Sequence, residues 1–205
     1  MMNRYANIAE LKQIEREDED YTILYRELPS IITIMAPHGG GIEPGTEDIA
    51  DGFAGCDYTF YAFKGLKKEG NAVLHINSNT FDEPIALKAA THADIVISIH
   101  GAKDKSLMSH LGGTNHELKQ VFIHALRAAG FAAEISDIPG MRGIRSENIC
   151  NRCKTGKGVQ IEISRGLREK LFENLGHRYL RKKTILFYKF VNTLKEALLA
   201  FLRES

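Results

Sequence analysis

The hydrophobic pattern of this 205-residue chain alternates between two periods. Short apolar runs at Thr22–Arg26, Ile31–Ala36, Tyr58–Phe63, Ala72–Ile76, Asp94–Ile99, Phe131–Ile135 and Val159–Ile163 predict strands. The run Asp94–Ile99, DIVISI, is apolar throughout and suits a central strand covered on both faces. Helical spacing recurs at Ile8–Asp20, Pro44–Phe53, Pro84–Ala93, Asn115–Ala129 and Leu180–Leu202. Strands interleaved with helices predict one α/β domain spanning residues 1–205, with a mixed or parallel central sheet flanked by helices. Ser136–Gly158 lacks periodicity and is rich in Gly, Arg, Asn and Cys; it reads as a long loop, the kind that often carries function.

Composition narrows the class. The chain is 43% hydrophobic, enough for one core. Its 27 Lys+Arg nearly cancel 26 Asp+Glu, which gives no case for a nucleic-acid partner. The opening MMNRYANIAELKQIEREDED has no apolar leader core, so no signal peptide is expected. The late stretch TILFYKFVNTLKEALLAFL is broken by Lys189, Lys195 and Glu196, so no membrane span is expected either. Cys56, Cys150 and Cys153 make no disulfide framework. These features predict a cytoplasmic protein with reduced thiols, or one released by cell lysis.

The candidate chemistry sits at strand ends. His38, in IMAPHGGGIEPG, and His100, in DIVISIHG, each follow an apolar strand and precede glycine. Open α/β sheets bind ligands beyond the carboxyl ends of their strands, so both histidines can reach one crevice. The glycines at 39–41 let the chain fold back and bring Glu43 beside His38. His, Glu and His form a zinc ligand set used in hydrolysis, with a fourth position left for water. Each feature alone also has a plainer reading, as a hydrogen-bonded histidine or a simple turn.

In Val159–Ser164, VQIEIS, the apolar residues Val159, Ile161 and Ile163 face one way and Gln160, Glu162 and Ser164 the other. A glutamate in such a strand is either a general base beside a bound cation or a structural ion pair, with Arg165 and Arg168 as available partners. The loop residues Arg142, Arg145, Asn151 and Arg152 are candidates for binding a carboxylate-rich substrate or steadying an oxyanion, and His75 for lining the pocket. HGGG also occurs in the oxyanion segment of esterases, but no G-x-S-x-G accompanies it. Cys150–Cys153 is a lone CxxC, without the second pair a structural zinc site needs. His116 and His124 read as a surface stripe.

Taken in order, APHGGGIEPGT, LHINSNTFDEP, SIHG, NICNR and IEISRGLR resemble the phage and bacterial poly-γ-glutamate hydrolase family. The resemblance runs from about residue 20 to 200. It implies a zinc carboxypeptidase-like fold and hydrolysis of γ-glutamyl amide bonds in poly-γ-glutamate. It places the Zn²⁺ ligands on His38, Glu43 and His100 and the catalytic glutamate on Glu162. The competing expectations are a protein that keeps the fold only to bind, or acts on another carboxylate-rich peptide, and, further off, a serine esterase.

Overall fold

A computed structural model of the chain describes residues 4–204. Among the described residues, seven strands form one mixed sheet in the order β1-β3-β2-β4-β7-β5-β6. These are β1 (Tyr21–Arg26), β2 (Ile32–Gly40), β3 (Thr59–Gly65), β4 (Ile95–Gly101), β5 (Met108–Gly113), β6 (Ala132–Ile135) and β7 (Val159–Ile163). Strands β3, β2, β4 and β7 run parallel. Strand β1 is antiparallel to β3, and β5 is antiparallel to β7.

Side-chain alternation divides the core between the two faces. On one face, Ile34, Ala36, Phe60, Ala62, Ile97, Ile99, Ile161 and Ile163 pack with residues of α2 (Thr46–Ala54), α4 (His116–Ala128) and α6 (Ile185–Glu204). On the other, Met35, Tyr61, Phe63 and Val96 pack with residues of α1 (Ile8–Leu11), α3 (Pro84–His92) and Ile149 to Cys153. The alternation of β7 is the one its sequence predicts: Val159, Ile161 and Ile163 join the first face. The helix starts follow local chemistry. Asn115 caps α4 by accepting from Leu118 N, and Glu83 caps α3 at Ala86 N with Pro84 in its first turn.

Several expected elements differ. The helix expected over Ile8–Asp20 is only the single turn α1. Ala72–Ile76 is not a strand: Asn71–Leu74 forms a 3₁₀ turn. The final helix begins at Ile185 rather than Leu180, because Phe172–Glu173 (β8) and Lys182–Lys183 (β9) first pair as a small hairpin. Strand β5 and the helix α5 (Arg165–Leu171) have no counterpart in the sequence reading. The loop over 136–158 contains a 3₁₀ turn at Ile149–Arg152. All three cysteines are free, and Cys150 and Cys153 are buried.

Candidate active site

Strand β2 does not stop before His38 but continues to Gly40. Its ladder with β3 shifts register between Ala36 and Gly39. Pro37 lies in that gap, and it has no N–H to give a ladder. Beyond the irregularity, Gly40 adopts φ +68°, and a Cβ there would collide with the Gly65 carbonyl. Its N–H donates to Glu47 Oε2 at 2.7 Å. The turn closes when Glu43 N donates to His38 O at 2.9 Å. Glu43 Oε1 then lies 3.3 Å from His38 Nδ1.

His100 occupies the last turn of the pleat in β4, directly beside Glu162 in the β4–β7 register. Its Nδ1 is 3.1 Å from His38 Nδ1 and 3.8 Å from Glu43 Oε2. Gly101 N, next in the chain, donates to Glu43 Oε2 at 2.8 Å. His38 Nε2 lies 2.7 Å from the Ile76 carbonyl. A carbonyl only accepts, so Nε2 carries a proton and Nδ1 is the nitrogen turned to Glu43 and His100. Such orienting bonds are usual for metal-ligating histidines.

His75 leaves the 3₁₀ turn 71–74 rather than a strand, yet it reaches the same place. Its ring stacks on His38 with centroids 4.0 Å apart and planes at 24°, and Nε2 is 3.7 Å from Glu43 Oε1. Donor atoms of His38, Glu43 and His75 all fall within 4.8 Å of one another, so two sets of three share His38 and Glu43. Geometry favours His100 as the third member. An imidazole holds an ion in its ring plane; the His38 and His100 planes cross at 62°, whereas those of His38 and His75 are nearly parallel. Donors held about 2.0–2.1 Å from a tetrahedral ion stand about 3.4 Å apart. The separations of 3.1, 3.3 and 3.8 Å among His38, Glu43 and His100 match that spacing. The donor set therefore fits a zinc-sized cation.

The electrostatics of the cluster are strongly perturbed. Burial pushes Glu43 upward, but His38 and then His100 and His75 outweigh it and hold the carboxyl at about 2. His100 is driven down to about 3, by burial and then by His38. His75 is driven down to about 3, first by His38 and then by burial. Burial also opposes charge on His38, but Glu43 prevails and raises it. Glu162 is pushed up to about 8, by burial and then by Glu43. A carboxyl raised by burial and a neighbouring carboxylate, in a cleft beside a buried His/Glu cluster, marks a candidate functional site.

These residues open into a cavity of about 390 Å³, lined also by Asn77, Ser78, Asn79, Arg142, Arg145, Asn148 and Gln160. Arg142 and Arg145 thus stand at the cavity, and among the described residues neither guanidinium makes a salt bridge or side-chain hydrogen bond. Asn151 and Arg152 are placed differently. Asn151 is buried and donates from Nδ2 to the carbonyls of Gly143 and Arg145, at 2.7 and 2.8 Å, so it fixes the arginine-bearing loop. Arg152 Nε donates to Glu147 O. Neither lines the cavity.

Nor do Arg165 and Arg168 serve as ion-pair partners of Glu162. Arg165 pairs with Glu169 at 2.8 Å. Buried Arg168 donates to the carbonyls of Ile163, Pro44 and Ala102, at 3.1, 2.7 and 2.8 Å. Each carbonyl lies one residue beyond, or two beyond, a site residue: Glu162, Glu43 and His100. Arg168 therefore ties together the three segments that carry the cluster, a role its sequence neighbourhood does not reveal. The Glu162 carboxylate instead accepts from Gln160 Nε2 at 2.8 Å.

Residues 5–193 match the poly-gamma-glutamate hydrolase family. The chain belongs to this family. The resemblance read from its sequence motifs is thus borne out. UPF0714 protein YndL of Bacillus subtilis (strain 168) is 37% identical over 206 residues, covering 98% of this chain and 78% of the relative. The solved structure of a bacteriophage poly-gamma-glutamate hydrolase superposes with a TM-score of 0.93 at 33% identity, covering all of both chains. The zinc-free apo form of YndL superposes at 0.90 with 38% identity, covering 97% of this chain and 98% of that one. A putative carboxypeptidase from Burkholderia mallei, 13% identical, shares the fold at a TM-score of 0.51 over 90% of this chain and 60% of its own. The single α/β domain with a mixed, helix-flanked sheet is thus the fold of this hydrolase family and of carboxypeptidase-like proteins. Among the described residues, no helix is long and apolar enough to cross a membrane.

Proposed function

We propose that this protein is a zinc-dependent hydrolase of γ-glutamyl amide bonds, with poly-γ-glutamate as its substrate. The observation that carries the reading is the convergence of His38, Glu43 and His100, at ion-binding spacing, in the cavity that Glu162 also lines. Membership in the family and the zinc-free form of a 38% identical relative support the same assignment.

His38, Glu43 and His100 would hold the zinc. When bound, zinc supplies Lewis-acid polarisation of a carbonyl and lowers the pKa of water toward neutrality. The protein's own contributions follow from its residues. Glu162 removes a proton from the attacking water and returns it to the departing nitrogen. Its partial desolvation keeps it basic enough for the first transfer, and a cation nearby returns it to the ionised form. His75, at the cavity rim, is placed to meet the substrate. Arg142 and Arg145 offer forked donors to the carboxylates that every residue of a polyglutamate chain carries. Asn77, Asn79 and Arg145 also line a second, more open depression with Arg4, Tyr5 and Thr80. The two depressions share Asn77, Asn79 and Arg145, so a polymer can run from the catalytic cavity into the second one past these residues.

The direct test is metal content together with cleavage of poly-γ-glutamate. The purified protein is expected to hold stoichiometric zinc, to shorten the polymer, to stop when chelated and to recover on adding zinc. A protein that neither binds zinc nor gains activity from it would refute the reading. Intact metal dependence on a different γ-glutamyl peptide would move the substrate alone.

The arginines give a separate prediction. Arg145→Ala is expected to raise KM about 10- to 100-fold, the loss of a charge-assisted hydrogen bond, with kcat little changed. Steady-state kinetics on poly-γ-glutamate at fixed ionic strength would check it. An unchanged KM in both Arg145→Ala and Arg142→Ala would remove the loop from substrate binding.

A further inference from the structure

Glu162 is reached by two buried amides whose polarity is set at the far end of the chain of bonds. Asn148 is the cap of the 3₁₀ turn Ile149–Arg152, and its Oδ1 accepts from the Cys150 backbone N–H at 3.1 Å. A backbone N–H can only donate, so the oxygen of Asn148 must face it. Its Nδ2 is thereby turned outward and donates to Gln160 Oε1 at 3.0 Å. Gln160 is left with only its nitrogen to present to Glu162, and Nε2 donates to Glu162 Oε1 at 2.8 Å. Asn148 and Gln160 are 3% and 2% exposed, so water does not compete for these bonds. The turn that starts the relay is anchored in its own right: Ile149 N donates to Ser78 O, and Asn148 N to Arg145 O, at 2.9 and 3.1 Å.

We propose that Asn148 and Gln160 are positioning residues for catalysis. Together they form a one-way amide relay, from a backbone N–H to the Glu162 carboxylate, that fixes one carboxylate oxygen as an acceptor and leaves Oε2 to exchange protons with the reacting groups. The proposal rests on Glu162 being the proton acceptor. Strand alternation gives the relay its frame, because Gln160 and Glu162 share a face of β7 two residues apart. The long loop gives it direction. The loop over 136–158 thus acts on the reaction through Asn148 as well as through its arginines.

Asn148→Asp tests the direction. Aspartate has the same shape and still accepts from Cys150 N, but it has no N–H for Gln160 Oε1. The Gln160 amide must then rotate, giving its nitrogen to residue 148 and turning its oxygen on Glu162. Gln160→Met removes the donor without adding charge and leaves the 3₁₀ cap untouched. Both variants are expected to lower kcat about 10- to 100-fold, with KM within about twofold and zinc content unchanged. In wild-type protein, one Gln160 side-chain amide proton should be shifted downfield in the NMR spectrum by its charged acceptor. That signature should vanish in Asn148→Asp. Unchanged kcat in Gln160→Met, or a loss confined to KM, would overturn the relay even if Asn148→Asp did not fold. A Glu162→Gln variant that stayed active would instead overturn the assignment of the base.

Discussion

Glu162→Gln is expected to lower turnover about 10²- to 10⁴-fold, the usual contribution of a positioned general base. Glutamine has nearly the shape of glutamate, and its Oε1 can keep the bond from Gln160 Nε2. Its NH₂ then stands where Oε2 stood, so a donor replaces the group meant to take a proton. The proposed metal donors are untouched, because the side chains of His38, Glu43 and His100 contact one another while Glu162 bonds to Gln160. Zinc content should therefore stay at the wild-type level. Stability should not fall, since a neutral amide replaces a carboxyl whose burial opposes its ionisation. Single-turnover cleavage of poly-γ-glutamate beside metal analysis would measure both. Wild-type turnover in the variant would remove Glu162 from the mechanism.

The parts of this site that were legible in the sequence are those built from local pattern. DIVISI marks a strand buried on both faces, and it is β4. Strict alternation in VQIEIS places Glu162 opposite the apolar face, where the sheet carries it. The glycine run in HGGG predicts a fold-back, and Glu43 N closes on His38 O. Parallel neighbours that start level finish level, which is why His38 and His100 meet at the carboxyl edge.

What the sequence hid is tertiary. Strand β5, MSHLGG, lacks an apolar alternation and ends in two glycines. The reason lies outside the strand: a Cβ on Gly112 would collide with the backbone of Met141 and Arg142, so glycine lets the arginine loop lie against the sheet. His75 reaches the cluster from a 3₁₀ turn whose apolar residues, NAVL, read equally well as a strand. Arg168 is one of three basic residues, with Arg165 and Lys170, in the short helix α5, and nothing local singles it out. Only the fold reveals that its guanidinium spans carbonyls after Glu43, His100 and Glu162. Asn151 is a similar case: as one polar residue in a polar loop it suggested substrate contact, whereas its amide holds the loop carbonyls.

The metal ligands make the sharpest thermodynamic prediction, because binding to the folded state alone raises stability by mass action. At a free zinc concentration about 1,000-fold above Kd, the gain is about 4 kcal/mol. For a domain of this size each kcal/mol moves the melting midpoint by about 2–4 °C, so zinc should raise it by roughly 10 °C. His100→Ala is expected to abolish most of that rise and the activity with it. The apo variant should itself fold, since among the described residues the His100 side chain makes no hydrogen bond to the backbone, unlike His38 with its bond to Ile76 O. His75→Ala decides between the two sets of three donors that share His38 and Glu43. With His100 as the proposed ligand, on the strength of its crossed ring plane, His75→Ala should keep the zinc-induced rise and lose only substrate affinity. Calorimetry of the three proteins with and without zinc would separate the cases. A rise that survives His100→Ala but not His75→Ala would transfer the third ligand to His75, and a wild-type midpoint indifferent to zinc would refute the metal site altogether.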